Sequence, residues 1–408
     1  MSLARGTPYN LPKDAPASSR VAERLRPFGS TIFAEMTALA SQHGAINLSQ
    51  GFPDEDGPSP VLEALGQAAM QGVNQYAPLS GLPRMRQGAA RWFERLGGPA
   101  IDPDRCVTVT CGCTEAIASS VLGLLNPGDG LVVFEPCYDS YQATAALAGA
   151  RLLPVTLRPD GNGRWTFDPA QLHEAFAQRP RAVLLNNPHN PTGKVFTEDE
   201  LLLIADLCQT HDCLALCDEV YDHLVYQGRH RRLAAMPGMA LRTVTMGSIG
   251  KLFSVTGWKV GWAIAEPPLT EAVRSAHQYL TFCANAPAQA AAAEALHAHL
   301  DAAESLCRSM QANARLLCDA VERVGLVAYR PQGGSFVMCD HRAVSSRLGL
   351  ADDVAFCRYL TEHVGVAAIP PSAFYVNKAL GRRYVRLAFC KKRQTIEAAI
   401  ERLQKLAE

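Results

Sequence analysis

One lysine, Lys251, lies in a stretch whose composition could make it a nucleophile. The stretch covers residues 248–262, is rich in small residues, and follows an apolar run over residues 243–246. We expect a strand to end there and Lys251 to lie in the loop that follows. An ammonium among apolar side chains, with a second cation at Lys259, is destabilised relative to the neutral amine. Lys251 is therefore a candidate for forming a Schiff base with an aldehyde.

Two further polar clusters each come directly after an apolar run. Asn190 belongs to residues 187–193, and Asp218 and Tyr221 belong to residues 217–221. Singly, each has an ordinary structural explanation, because most lysines are solvated, an aspartate can cap a turn, and an asparagine before proline can form an Asx turn. Three polar clusters at three predicted strand ends nevertheless indicate a site.

An aromatic nitrogen cofactor with an aldehyde and a phosphate would use these residue types. It needs an amine for the imine, a carboxylate at the ring nitrogen, donors to the ring hydroxyl, a flat partner for the ring, and an anion site. A predicted helix start at residues 112–114 offers free amides to a phosphate, and we expect Cys113 to contribute its backbone amide alone. Tyr138 could also be a core aromatic at a helix start. The candidates are Lys251 for the imine, Asp218 for the ring nitrogen, Asn190 and Tyr221 for the ring hydroxyl, and Tyr138 for the ring face. For the phosphate they are Gly112, Cys113, Thr114, Ser248 and Lys259.

Other common catalytic motifs are absent from the sequence. There is no Gly-x-Gly-x-x-Gly after a predicted strand, no Gly-x-Ser-x-Gly and no His-Glu-x-x-His, and Gly250-Lys251 lacks the upstream glycine of a P-loop. These absences argue against a dehydrogenase, an esterase, a zinc protease and an NTPase. Thirteen cysteines at irregular spacings contain no paired Cys-x-x-Cys framework, so we expect free thiols and no metal site.

The overall charge points away from nucleic acid and from membrane surfaces. Lys+Arg and Asp+Glu both total 39, which gives a formal net charge of zero. No apolar run approaches the length of a membrane span. The N-terminus shows no basic segment followed by an apolar core, so we expect a cytoplasmic protein.

The order of predicted elements indicates an α/β fold. Strands and helices alternate from residue 107 to residue 217, which favours a large domain with a mostly parallel sheet covered by helices on both faces. An alanine-rich stretch from residue 284 towards 324 predicts a long connecting helix, and a smaller α+β domain follows. We predict an N-terminal arm and part of the small domain over residues 1–60, with the arm at 1–18. The large domain would cover residues 61–290 and the small C-terminal domain residues 291–408.

These motifs resemble the class I aminotransferases, which are fold type I enzymes dependent on pyridoxal 5'-phosphate (PLP). The matching segments are residues 189–193, 218–221, 248–251 with 257–261, and 385–389, in the order and spacing of the family. Residues 46–54, 74–78, 277–282 and 365–370 are similar to the branch of the methionine and kynurenine aminotransferases. One departure is Lys259, which stands where many relatives have arginine.

The resemblance implies a role for each matching residue. Lys251 would form the internal aldimine, Asp218 would pair with the pyridinium nitrogen, and Tyr138 would stack on the ring. Asn190 and Tyr221 would bond the ring oxygen. The residues implied outside the cofactor ring are Arg386, with Gly51 and Asn190, at the substrate α-carboxylate, and Tyr76 at the phosphate of the neighbouring subunit. That last role requires a homodimer with shared active sites.

The implied reaction is a ping-pong transfer of an amino group from an L-amino acid to a 2-oxo acid. Phe52, Phe336 and Tyr138 could line an apolar pocket for a methionine-type or kynurenine-type side chain, or could be core residues. No second arginine can be assigned to a side-chain carboxylate. Two alternatives remain: a PLP-dependent carbon-sulfur β-lyase of the same fold, and the sensing domain of a transcription regulator. The regulator would need a winged-helix segment, for which we find no room before residue 30.

Overall fold

The computed structural model of the protein describes residues 20–28 and 32–407 of the 408-residue chain. The arm predicted over residues 1–18 lies outside the described residues. Across the described ranges, no helix is both long enough and apolar enough to cross a membrane. All thirteen cysteines are free thiols.

The strands form a large sheet, a three-stranded sheet and two short pairs. In chain order they are β1 (Ile46–Asn47), β2 (Val107–Thr110), β3 (Gly130–Glu135), β4 (Arg151–Thr156), β5 (Arg158–Pro159), β6 (Trp165–Thr166), β7 (Ala182–Asn186), β8 (Leu214–Asp218), β9 (Thr243–Ser248), β10 (Gly261–Ile264), β11 (Val327–Tyr329), β12 (Phe336–Asp340), β13 (Val366–Ala367) and β14 (Tyr384–Ala388). The large sheet has the order β2-β10-β9-β8-β7-β3-β4. Its strands are parallel except β10, which is antiparallel to β9 and β2. The prediction of a mostly parallel sheet is confirmed.

Helices pack against both faces of the large sheet and around the smaller one. In chain order they are α1 (Ile32–His43), α2 (Ser59–Met70), α3 (Pro83–Arg95), α4 (Pro103–Cys106), α5 (Gly112–Leu124), α6 (Asp139–Ala148), α7 (Pro169–Ala177), α8 (Glu198–Thr210), α9 (Ile249–Leu252), α10 (Pro267–Leu280), α11 (Ala286–Ala298), α12 (Leu300–Arg323), α13 (Arg342–Leu348), α14 (Asp353–Tyr359) and α15 (Arg393–Leu403). Helix α8 begins with a capping box between Thr197 and Glu200, in which each side chain accepts from the other residue's backbone N–H.

Successive residues of the central strands belong to two different cores. In β8, Leu214 and Leu216 pack with helices α5, α6 and α10. Ala215 and Cys217 of the same strand pack with helices α7 and α8. Since side chains alternate across a strand, a strand covered on both faces is mostly apolar. The charged and amide side chains of the large sheet lie at the strand ends.

The smaller domain is built on the antiparallel sheet β11-β12-β14. Its core includes side chains of α12, α14 and α15, and also Met36 of α1 and Leu48 after β1. Strand β1 pairs in parallel with β13. A segment near the start of the chain thus packs with segments near its end, while the domain bounds at residues 60 and 290 stay a prediction.

The secondary structure differs from the prediction at Lys251 and at the connecting helix. Lys251, expected in a loop, lies in the single helical turn α9, whose start is capped by the Ser248 side chain. The expected connecting helix is two helices, α11 and α12, separated at His299, whose backbone has left the helical region at φ −127°. Helix α10, for which no expectation was made, begins with Pro267 and Pro268, and proline is well tolerated in the first turn.

Candidate active site

The candidate residues meet in a cavity of about 490 Å³ at the carboxyl ends of the central strands. This is the edge at which parallel α/β sheets bind their ligands. Tyr76 is the exception: its side chain is 85% exposed, packs edge-on against Phe282, and does not line the cavity. The predicted site residues that line it are Gly51, Gly112, Cys113, Thr114, Tyr138, Asn190, Asp218, Tyr221, Ser248, Lys251, Lys259 and Arg386.

Lys251 reaches the cavity from α9, the turn that follows β9. Its Nζ donates to the carbonyl oxygen of Gly51 and lies 5.9 Å from the centre of the Tyr221 ring. Burial lowers the pKa of Lys251, and the positive charges of Arg386, Lys391 and Lys259 lower it further. More of the amine is therefore neutral at a given pH than for an ordinary lysine, which is the property expected from the sequence.

The end of β8 presents Asp218 to the same cavity. One carboxylate oxygen accepts from the Tyr141 hydroxyl at 2.6 Å, and the other accepts from the Val220 backbone N–H at 3.1 Å. Burial raises the pKa of Asp218, and these hydrogen bonds oppose that rise. The thiol of Cys113 also contacts the carboxylate, with Sγ 3.4 Å from Oδ1. The expectation that Cys113 contributes its backbone amide alone to a phosphate stays a prediction.

Arg386 enters from β14 of the smaller domain. It is 1% exposed, and its Nη1 donates to Asn190 Oδ1 at 3.2 Å while Nη2 donates to the Ser49 carbonyl at 2.8 Å. The centre of its guanidinium lies 4.0 Å from the centre of the Phe336 ring. Burial lowers the pKa of Arg386 to about 10. Its buried Nε has no hydrogen-bond partner, so the group retains a free donor.

The start of helix α5 forms the opposite wall, next to a cation. Gly112 has φ +75°, and a Cβ added there would lie 3.2 Å from Lys259 Nζ. A Cβ at Gly261 of β10 would lie 2.6 Å from the carbonyl carbon of Gly112 and 2.7 Å from the amide nitrogen of Cys113. Only glycine at position 261 lets the strand pack this closely on the helix start. The amides at this helix start, together with the lysine, could hold an anion.

Glycine at position 51 is explained by packing within the protein. A Cβ there would overlap the ring of Phe336. The expectation that Gly51 contacts the substrate α-carboxylate stays a prediction, although Gly51 does line the cavity. Phe52 and Phe336 also line it, together with Phe33.

Sequence reasoning missed two residues that orient the site. Asn186 donates from its side chain to the Asp218 carbonyl at 2.9 Å, and its Oδ1 accepts from the Asn190 backbone N–H at 2.6 Å. Tyr141 bonds Asp218, as described above. Both had a usable signal, because Asn186 directly follows a predicted strand and Tyr141 follows Tyr138 by three residues on one predicted helix.

The family follows from comparison of the whole chain. A family model described as aminotransferase class I and II matches residues 43–403. The chain belongs to this family. Aminotransferases of this family depend on PLP and exchange amino groups between amino acids and 2-oxo acids.

Individual relatives of this aminotransferase differ in their substrates. The solved structure of N-succinyldiaminopimelate aminotransferase from Mycobacterium tuberculosis has a TM-score of 0.91 and 43% identity, covering 95% of this chain and 100% of that chain. The methionine aminotransferase of Escherichia coli is 39% identical over 94% of this chain and 97% of its own length. Kynurenine–oxoglutarate transaminase 3 of Mus musculus is 36% identical over 93% of this chain and 89% of its own length. The likeness to such aminotransferase structures identifies the fold as type I.

Proposed function

We propose that this aminotransferase takes the amino group from an apolar, sulfur-containing or aromatic L-amino acid, of the methionine or kynurenine type, and gives it to a 2-oxo acid. The observation that carries the proposal is that Lys251, Asp218 and Arg386 line one cavity, which three phenylalanine side chains also line. The amine and the carboxylate suit the cofactor. The guanidinium suits the α-carboxylate of the amino acid, and the phenylalanine rings suit its apolar side chain.

The cavity offers the donors and acceptors that PLP requires. Bound PLP supplies an electron sink for the electrons released at the substrate α-carbon. Asp218 would keep the ring nitrogen protonated, Asn190 and Tyr221 would donate to the ring oxygen, and Tyr138 would cover the ring face. The groups proposed for the phosphate are the amides of Gly112, Cys113 and Thr114, the Ser248 and Thr114 hydroxyls, and the Lys259 ammonium.

Lys251 would attach the cofactor and then act as the proton carrier. Because its pKa is lowered by burial and by neighbouring cations, its neutral amine can accept the proton from the substrate α-carbon. Arg386 would grip the α-carboxylate in a bidentate fork, for which guanidinium geometry is suited. The backbone of Gly51 and the amide of Asn190 would complete the contact with the substrate.

The choice of side chain would depend on the aromatic wall. Phe33, Phe52 and Phe336 are apolar, and Arg386 is the single arginine among the described residues that line the cavity. An acidic side chain therefore finds no second guanidinium within it. N-succinyldiaminopimelate is a second candidate donor, favoured by the 43% identity to the mycobacterial enzyme named for it.

A panel of amino donors tests the choice of substrate. Holoenzyme is mixed with methionine, kynurenine, phenylalanine, leucine, aspartate or N-succinyldiaminopimelate, and the loss of the lysine-linked cofactor absorbance is followed. We expect kcat/KM to be highest for methionine or kynurenine. A preference for aspartate would contradict the proposal, and a preference for N-succinyldiaminopimelate would select the second candidate. With cystathionine or a cysteine conjugate as the substrate, pyruvate and ammonia formed without a 2-oxo acid would reveal β-lyase activity, because the thiol leaves from the β-carbon.

Replacement of Lys251 tests the attachment of the cofactor. Lys251→Ala should lose the lysine-linked absorbance and nearly all turnover, since no other nucleophile would hold the cofactor aldehyde. Lys378→Ala serves as a control lysine, because Lys378 is exposed and does not line the cavity. Retention of both signals in Lys251→Ala would refute the assignment.

We further propose that the enzyme is a cytoplasmic homodimer with shared active sites. Tyr76 and Tyr279 are each 85% exposed, and Phe282 is 44% exposed. A second subunit would cover such aromatic surface and let Tyr76 reach its phosphate. The free thiols suit a reducing compartment.

A further inference from the structure

A fully buried histidine, His277 of helix α10, lies beneath the start of helix α5. Its Nε2 is 3.0 Å from the carbonyl oxygen of Leu79, and its Nδ1 is 3.1 Å from each carboxylate oxygen of Glu115. A carbonyl oxygen only accepts, so Nε2 carries a proton and donates it to Leu79. The histidine thus connects α10, α5 and the segment that follows Tyr76.

Its partner Glu115 stands in the first turn of α5 and points back to the helix start. Its Oε2 accepts from the Cys111 backbone N–H at 3.0 Å, and its Oε1 accepts from the Ser119 hydroxyl. The residue is only 9% exposed, so water screens its charge poorly. A bare carboxylate here would repel a phosphate held by the same helix start.

The geometry requires a proton between the two side chains. Nδ1 and the carboxylate are at hydrogen-bond distance, and without a proton two lone pairs would face each other. Thr281 Oγ1 also lies 3.1 Å from Nδ1, but a hydroxyl can accept as well as donate and does not remove this requirement. Whether the shared proton is on nitrogen or on oxygen, the net charge of the pair is zero.

We propose that His277 neutralises Glu115 and thereby keeps the start of α5 attractive to the phosphate of PLP. The inference rests on the proposed phosphate site at residues 112–114. Neither His277 nor Glu115 lines the cavity, so His277 is a positioning residue that acts through Glu115 and the helix. Lys259 then acts at the phosphate without an opposing charge on Glu115.

Titration of the apoenzyme with PLP and with pyridoxal, which lacks the phosphate, isolates this effect. We expect His277→Gln to weaken PLP binding by roughly 5- to 30-fold, the size of a charge effect at a helix terminus. Pyridoxal binding should stay unchanged. The double variant His277→Gln/Glu115→Gln should regain the wild-type ratio of the two affinities, because it removes the uncompensated carboxylate together with its partner.

A matched control is His341→Gln, which replaces a buried histidine that bonds Ser345 Oγ at 2.7 Å and the Arg382 carbonyl at 3.1 Å in the smaller domain. It should leave the affinity ratio unchanged. Urea unfolding of each variant checks that it is folded, and His277→Asn replaces His277→Gln should the latter not fold.

Three results would overturn the inference. They are wild-type PLP binding in His277→Gln, an equal loss of PLP and pyridoxal binding, and failure of the double variant to recover. The last would mean that His277 acts through Leu79. None of these results contradicts the proposed function. That proposal is contradicted instead if the wild-type protein forms no lysine-linked absorbance with PLP.

Discussion

Arg386 is the residue on which recognition of the amino acid depends in our proposal. Its guanidinium donates hydrogen bonds to Asn190 and to the Ser49 carbonyl and packs on the Phe336 ring. Its buried Nε–H has no acceptor among the described residues. A lysine would keep the charge but lose the planar fork. We expect Arg386→Lys to lower kcat/KM for the amino acid by roughly 10- to 100-fold, in line with the loss of one charge-assisted hydrogen bond.

Steady-state kinetics checks this, with Arg342→Lys as the matched control. Arg342 is an exposed arginine whose Nη2 lies 2.9 Å from Asp340 in an ion pair outside the cavity. An unchanged kcat/KM in Arg386→Lys would assign the α-carboxylate to another group.

The lowered pKa of Lys251 leads to a second expectation. In the apoenzyme, labelling of Lys251 by an amine-reactive reagent should reach half its maximal rate at a lower pH than labelling of an ordinary lysine. Lys391→Gln removes one of the cations that lower the pKa of Lys251, so the midpoint should move to higher pH. Mass spectrometry of the labelled peptide across a pH series measures both midpoints. Identical midpoints in the two proteins would show that the charge of Lys391 has no influence.

At single residues, the sequence identified those whose type and position both point to chemistry. Lys251, Asp218 and Asn190 follow apolar runs, and the structure brings them to one cavity. Phe33 could not be assigned from its neighbours, because it reaches the site from α1 through folding of the whole chain. The thiol contact of Cys113 depends on a rotamer, about which sequence spacing carries no information.

At the level of elements, the packing of β10 on α5 decides where the proposed anion site forms. We expect Gly261→Ala to push the start of α5 away from the strand. The overpacking should destabilise the protein by about 1–3 kcal/mol and weaken PLP binding. Gly257→Ala is the matched control, since a Cβ there meets nothing within 4 Å.

Urea denaturation and PLP titration of both glycine variants test the close packing. Gly257→Ala should leave both measurements near wild type. Equal behaviour of the two variants would mean that the helix start does not depend on glycine at position 261.

The alternation of apolar runs predicted the central strands well. The antiparallel direction of β10 was not predicted, because a short apolar run indicates a buried strand but not the direction in which it pairs with its neighbours. The break between α11 and α12 was also missed, since alanine-rich sequence favours helix on both sides of it. What the sequence could not provide was the pairing of β1 with β13 across more than three hundred residues, which only tertiary packing specifies.

At the scale of the whole molecule, the proposed dimer makes a complementation test possible. Lys251→Ala and Tyr76→Ala each damage a different part of a shared site. In a hybrid dimer of the two variants, one site has both Lys251 and the partner subunit's Tyr76 intact. After equal mixing with subunit exchange, about a quarter of all sites should be wild type.

Turnover before and after mixing measures the recovery, and sedimentation confirms the dimer. Separately purified variants kept apart provide the baseline. No gain on mixing, in a preparation shown to exchange subunits, would place Tyr76 outside the partner's site.

The two sheets supply different parts of the cavity. Asp218 ends strand β8 of the large sheet and Lys251 follows strand β9 of the same sheet, whereas Arg386 and Phe336 belong to the three-stranded sheet. In our proposal, the carboxylate and the amine that serve the cofactor and two of the groups that bind the substrate thus belong to different sheets. Substitutions in the three-stranded sheet can therefore change which amino acid is accepted while the large sheet stays intact. Such an enzyme can acquire a new substrate through few substitutions.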